Sequence, residues 1–232
     1  SLLGCTVVAA PSLALDAISI NVKPPESGGF VGLGVGLATD YEGSDDYEAI
    51  PAPFGHYRWA SGRYVDLGGA GGAEHAGRLS LNVISTDLSS AWEFGPVLQY
   101  RLERDDVDNN QVDNMEKVDD ATELGAFVGL RTGPWSFELT YAADVSDEHD
   151  GYLVYLNGGY EVPVNDRFKL QFGAHVTYAD SNYMETYFSV DNKNRGSSTL
   201  PDFNASDGIK DTGLNVTGLY HFNDTWGMAG SL

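Results

Sequence analysis

The chain has 232 residues, enough for one barrel-sized domain, and its 34 acidic against 13 basic residues give a formal charge of −21. A field of that sign repels phosphate backbones, which excludes nucleic acid as a partner. No stretch approaches the ~18 uncharged apolar residues of a membrane-spanning helix, so a helical membrane protein is excluded too.

The first segment, Leu2 to Ala10, is apolar and is followed by the small residues Ser12 and Ala14. It reads as the back half of a signal peptide cut before Leu15, without its initiating Met and basic region. Residues 1–14 are therefore expected to be part of an export leader and residues 15–29 a periplasmic N-terminal segment. A lipoprotein reading of Leu2-Leu3-Gly4-Cys5 fits less well, since an apolar run follows Cys5 where a polar tether belongs. Cys5 is the single cysteine, so no intramolecular disulfide forms.

From Phe30 onward, segments of about ten residues alternate between apolar and polar positions, each followed by a turn or a polar loop. Val31, Leu33, Val35 and Leu37 come first, opposed by Gly32, Gly34 and Gly36. Those glycines lack the following helix of a phosphate-binding turn and read as points of close approach to a sheet wall. Further on, Trp92, Phe94, Leu98 and Tyr100 oppose Glu93, Gly95, Gln99 and Arg101, and Trp135, Phe137, Leu139 and Tyr141 oppose Ser136, Glu138 and Thr140. Phe168 to Tyr178 is the clearest case, with Phe168, Leu170, Phe172, Ala174, Val176 and Tyr178 on one face and Lys169, Gln171, Gly173, His175 and Thr177 on the other.

Alternation also suits a soluble sandwich, so two further signals decide. Aromatic residues sit at the ends of the apolar stripes (Tyr41, Tyr100, Trp135, Tyr141, Tyr152, Tyr160, Phe168, Tyr178, Tyr220 and Phe222), as in interfacial girdles. Tight turns near Gly62, Thr86, Gly133, Asn165 and Asp224 alternate with longer acidic loops, roughly Glu42 to Pro53, Gly71 to Gly77, Glu103 to Ala121, Asp144 to Gly151 and Asp180 to Asp211. The pattern predicts an all-β fold, an antiparallel transmembrane β-barrel of about twelve strands over residues 30–232, in a bacterial outer membrane. Ten strands are complete and an eleventh begins at Trp226. Because single-chain barrels have an even strand number, the chain is expected to continue beyond both ends, with the barrel's C-terminal strand missing here.

Little in the sequence points to chemistry. Asp106, Asp108 and Asn110 open with the spacing of a calcium loop, but Gln111 takes its glycine position and Lys117 its bidentate glutamate position, so a solvated acidic loop is the expectation. His56, His75, His149, His175 and His221 show no metal-ligand spacing. His149 with Asp150 is the best candidate for a rim enzyme, without a nucleophile context such as G-x-S-x-G. Asn204-Ala205-Ser206 and Asn215-Val216-Thr217 are chance glycosylation matches in a bacterial barrel. No catalytic, cofactor-binding or metal residue is assigned.

Tyr41-Glu42-Gly43-Ser44-Asp45-Asp46-Tyr47 with Pro51 and Pro53 resembles the MltA-interacting protein (MipA/OmpV) family. Tyr183-Met184-Glu185-Thr186-Tyr187-Phe188-Ser189-Val190, Ser197-Ser198, Leu200-Pro201, Gly208-Ile209-Lys210 and Trp226 follow that family's order of features, from about Gly29 to the end. The departures are the missing C-terminal strand and the acidic insertion around Asp105 to Asp120. The resemblance implies a non-enzymatic outer-membrane barrel acting as a scaffold between a murein lytic transglycosylase and a penicillin-binding murein synthase, with no catalytic residues to carry over. Its expected surroundings are the lipid bilayer and lipopolysaccharide. The alternatives are a porin-like passive channel lined by Lys169, Gln171, His175, Asn215 and Thr217, a surface adhesin, and a barrel-rim hydrolase.

Overall fold

The computed structural model describes residues 2–8, 27–69, 77–86, 88–89 and 91–231. Eleven antiparallel strands in chain order make a curled sheet: β2 (Gly28–Thr39), β3 (Tyr47–Arg58), β4 (Tyr64–Gly69), β5 (Gly77–Asn82), β6 (Trp92–Arg101), β7 (Ala121–Thr132), β8 (Trp135–Asp144), β9 (Tyr152–Pro163), β10 (Phe168–Ala179), β11 (Gly208–His221) and β12 (Trp226–Ser231). A further strand, β1 (Leu2–Val8), closes the sheet into a barrel between β2 and β12. Two short helices, α1 (Asn110–Asp113) and α2 (Ser181–Phe188), lie in the two longest described loops. Closure follows from chemistry, since in hydrocarbon every backbone N–H and C=O must pair within the protein.

The seam differs from the rest of the wall. β1 runs parallel to both neighbours, Leu2–Val8 against Gly29–Val35 and Gly4–Val7 against Trp226–Ala229, whereas all other neighbours are antiparallel. Parallel ladders are slightly weaker per residue. This strand comes from the stretch expected to be an export leader, and the expected periplasmic segment falls almost wholly outside the described residues.

The connections alternate as expected, with two differences. One barrel end, the turn end, carries residues 59–63, 83–86, 88–89, 91, 133–134, 164–167 and 222–225; the other, the loop end, carries 40–46, 102–120, 145–151 and 180–207. The loop expected from Glu42 to Pro53 stops at 46, because Tyr47–Pro53 already belong to β3. Among the described residues β4 reaches only Gly55–Arg58, which leaves one edge of the preceding stretch without a ladder and lets Pro51 and Pro53 sit in a strand. The last long loop ends four residues earlier than expected, since Gly208–Asp211 lie in β11. The expected Gly71 to Gly77 loop lies outside the described residues apart from Gly77 in β5.

Period-2 alternation assigns the faces. Val31, Leu33, Val35, Leu139, Leu156, Phe172 and Leu214 point outward and are exposed, while their neighbours Gly34, Gly36, Thr140, Tyr155, Gln171 and Thr217 point into the lumen and are buried. All four tryptophans of the chain, Trp59, Trp92, Trp135 and Trp226, lie at the turn end and are 43–56% exposed. Trp135 packs on Tyr160 with ring centroids 4.5 Å apart, and Tyr220 on Phe222 at 5.3 Å. Tyrosines ring the loop end, where Tyr141 and Tyr178 flank Tyr152 at 5.3 and 6.4 Å. Two aromatic rings bracketing an apolar band, on tilted strands of mostly 10 to 14 residues, match the dimensions of a bilayer-spanning barrel.

Gly125 sits on the inner face of β7 where β8 comes closest: a Cβ there would overlap the carbonyl oxygen of Tyr141 and crowd Cα of Ala142. We expect Gly125→Val to force β7 and β8 apart and to cut the yield of refolded barrel severalfold, read as loss of the heat-shifted band on a gel. Overpacking of this kind typically costs about 1–3 kcal/mol.

Candidate functional site

The lumen is not uniformly polar. Its turn-end half carries the ion pairs Arg131–Glu93 at 2.8 Å and Lys169–Glu161 at 3.1 Å and a His56–Asp66 hydrogen bond at 2.8 Å, beside the buried Phe30, Phe54 and Tyr64. Nearer the middle, Arg78 crosses over the Phe127 ring to reach Glu138 at 2.8 Å and Thr140 at 3.2 Å. Toward the loop end the contents become apolar, with Val97, Phe127, Ala142, Leu153, Tyr155 and Ala179 packed around Tyr183 and Tyr187 of α2.

The centre of this layer is Arg101, the last residue of β6, whose side chain is 1% exposed. Its Nε donates to Glu123 Oε1 at 2.8 Å, Nη1 to Glu42 Oε1 at 2.9 Å, and Nη2 to the Tyr155 hydroxyl at 3.3 Å. The guanidinium plane lies 4.8 Å from the Tyr183 ring and 5.7 Å from the Tyr187 ring. A cation in so dry a place is tolerable only with carboxylates and ring faces around it.

Each partner is delivered by a local device. Glu42 hangs from the 40–46 turn, where Gly43 takes the left-handed φ of 94° and Ser44 N–H donates to the Tyr41 carbonyl at 2.9 Å. His149 is folded inward because the Asp144 carboxylate gathers the main-chain N–H groups of Ser146, Glu148, His149 and Asp150 at 2.7–3.0 Å. Asp147 and Asp150 take φ values of 63° and 51° in that loop, a region aspartate accepts better than most residues. Lys210 is the extra residue of a bulge in β11, where the register skips from Asp211 to Ile209 opposite Thr177 and Tyr178. The bulge turns Lys210 inward, 3.7 Å from Glu42 and 2.6 Å from Asp211, which in turn lies 3.4 Å from His175.

α2 is seated in the mouth by both of its ends. Asp180 caps the N-terminus, its carboxylate accepting from Tyr183 N–H and from Tyr152 N–H in the wall. At the C-terminus Arg104 Nη1 donates to the carbonyls of Thr186 and Tyr187 at 3.4 and 3.1 Å, while Nη2 donates to the Glu116 carbonyl at 3.0 Å. Burial pulls the Arg104 pKa below its usual value, an effect opposed by the nearby Tyr187 and Glu42. Burial also pushes the Tyr187 phenol up, so it stays neutral. Tyr183 and Tyr187, four residues apart, share the inward face of the helix, with Tyr183 hydrogen-bonded to Glu42.

The acidic loop is not simply solvated, as the sequence had suggested. Arg104 and Val118 bridge across it, Asn109 caps α1, and Gln111 Oε1 accepts from Ser198 Oγ and from Thr199 N–H and Oγ. Gly196, at φ 56°, lies against the Asn114 carbonyl, which a Cβ there would overlap. Gly196→Val should therefore untie the two loops by about 1–2 kcal/mol, seen as faster limited proteolysis within 102–120 and 180–207 while the barrel's melting stays unchanged. Between these loops a cleft of about 460 Å³ opens to the surface, lined by both signs of charge, Arg104, Lys117 and Lys193 against Glu116, Glu148 and Glu185.

The candidate rim pair His149 and Asp150 is not brought together. His149 is buried, its Nε2 lying 3.3 Å from Glu123 and its Nδ1 accepting from Gly151 N–H at 3.1 Å. Asp150 is exposed and contributes only its main chain. Lys169, Gln171, His175, Asn215 and Thr217 do line the lumen, as the alternation suggested. His75 lies outside the described residues, and among the described residues no three His, Cys, Asp or Glu side chains gather as metal ligands.

A family model for the MltA-interacting protein MipA matches residues 31–232. The chain belongs to the MipA family. No curated protein and no solved structure matches the sequence. Several of the segments that carry the MipA resemblance meet in space: Glu42 of the first, Tyr183 and Tyr187 of the second, and Lys210 of Gly208-Ile209-Lys210 converge on the Arg101 layer, while Trp226 lies at the other end. Arg101, Arg104 and Glu123 complete it from outside those motifs.

Proposed function

We propose that this MipA-family chain is an outer-membrane scaffold that docks a murein lytic transglycosylase of the MltA kind and brings it to a murein synthase. The observation that carries the reading is the MltA-interacting protein model matching residues 31–232, an all-β barrel wall with an apolar outer band. In barrels of this architecture the short turns face the periplasm, so docking falls on the turn end, around residues 59–63, 133–134, 164–167 and 222–225. The Arg101 layer across the opposite mouth weighs against a standing passive channel, and the burial of His149 weighs against a rim hydrolase.

Co-precipitation of the detergent-extracted protein with a purified MltA-type transglycosylase and a bifunctional murein synthase tests this. Retention of both, lost when residues 164–167 and 222–225 are replaced by Gly-Ser turns, is the expected result; failure to retain either enzyme contradicts it. We further infer export through a leader cut before Leu15. The mass of the chain recovered from membranes should place Leu15 first, and a retained Leu2–Val8 would contradict that.

A further inference from the structure

We propose that α2 is a removable stopper, and that its release opens a water-filled passage along the lumen. Barrels of eight strands are filled by their own wall side chains, whereas sixteen leave an aqueous channel. The eleven strands β2 to β12 alone already fall between these limits, so wall side chains alone leave space at the axis. Here that space is filled from a loop, by Tyr183 and Tyr187 with Met184 and Phe188 packed beside them.

The way the stopper is held suits release. Besides its two inward rings and the Met184 and Phe188 packed beside them, α2 is held by polar attachments: Asp180 at one end, Arg104 at the other, and the Tyr183–Glu42 hydrogen bond between. Water can replace each of these when the helix lifts. The pairs beneath, Arg101 with Glu123 and with Glu42 of the 40–46 turn, and Lys210 with Asp211, involve no residue of α2 and stay behind as a charged constriction. Below them the lumen is already lined by ion pairs, from Arg78–Glu138 down to Lys169–Glu161. A polar path therefore runs from under the stopper to the turn end along the ion-paired side of the lumen, beside the buried Phe30, Phe54 and Tyr64 of β2 to β4.

Full-length protein in planar bilayers tests this. The wild type is expected to show no steady unitary current, and the Tyr183→Ser/Tyr187→Ser double variant, which removes both rings and leaves the wall-borne ion pairs in place, to show steady openings with at least a tenfold rise in conductance per inserted barrel. Should the double variant give no heat-shifted band, Arg104→Ala takes its place: it frees the C-terminal end of α2 together with the Glu116 carbonyl and should give brief, repeated openings. Wild-type conductance equal to the variants', or folded variants that stay closed, would overturn the proposal. Neither result bears on retention of a murein enzyme at the other end.

Discussion

Replacing Arg101 by alanine is expected to destabilise the folded barrel by about 3–5 kcal/mol, the cost of breaking a buried ion pair by removing one partner. The side chain is 1% exposed, and it neutralises both Glu42, itself 10% exposed, and Glu123, which is fully buried. Alanine leaves those two carboxylates without their guanidinium in a dry layer and also removes the cation beneath Tyr183 and Tyr187. Urea unfolding of the refolded protein in micelles measures the loss. Adding Glu42→Gln and Glu123→Gln to the alanine variant should recover a good part of it, because the uncompensated charge is then gone. A loss below about 1 kcal/mol would mean the layer is wetter than its geometry implies.

The second large effect is expected at Leu156, exposed on the outward face of β9 and paired with Leu139 on one side and Val176 on the other. Leu156→Arg places a charge in the middle of the apolar band, for which transmembrane barrels show a cost of about 2–4 kcal/mol. Its neighbour Asn157 points into the lumen opposite Glu138. Asn157→Arg gains an acidic partner there and should change stability by no more than about 1 kcal/mol. Folding titrations into lipid vesicles separate the two variants. Equal effects would mean that the outward face does not meet hydrocarbon.

Much of this architecture is legible in the sequence because a barrel writes its two faces with a period of two. Glu93, Gln99 and Arg101 on one parity and Trp92, Leu98 and Tyr100 on the other place β6 correctly before any coordinates. The same reasoning misses that Val97 and Phe127 are lumenal, since an apolar residue on the inner parity signals a filled lumen only once its neighbours are known. α2 had a readable signal, Asp180 as a cap followed by Tyr183, Met184, Tyr187 and Phe188 at helical spacing, but it lies within a long polar stretch that reads as loop. The Arg101 layer is harder still. Glu42 and Tyr183 are 141 positions apart and Arg101 and Glu42 are 59, and nothing local announces such contacts. Only the loop turn at Gly43 and the bulge at Lys210 explain why those side chains aim inward, and a bulge carries no signature in the alternation beyond a slipped register.

If the apolar outer band, bracketed by two aromatic rings, lies in a bilayer, the tryptophans lie at one of its interfaces. Trp59, Trp92, Trp135 and Trp226 are the chain's only tryptophans and all sit at the turn end, so fluorescence quenching by brominated lipids reports that rim without labelling. The barrel reconstituted in such vesicles should be quenched most strongly by bromines placed close to the headgroup and less by bromines at the midplane. Emission that no brominated lipid quenches, at any depth, would contradict the account.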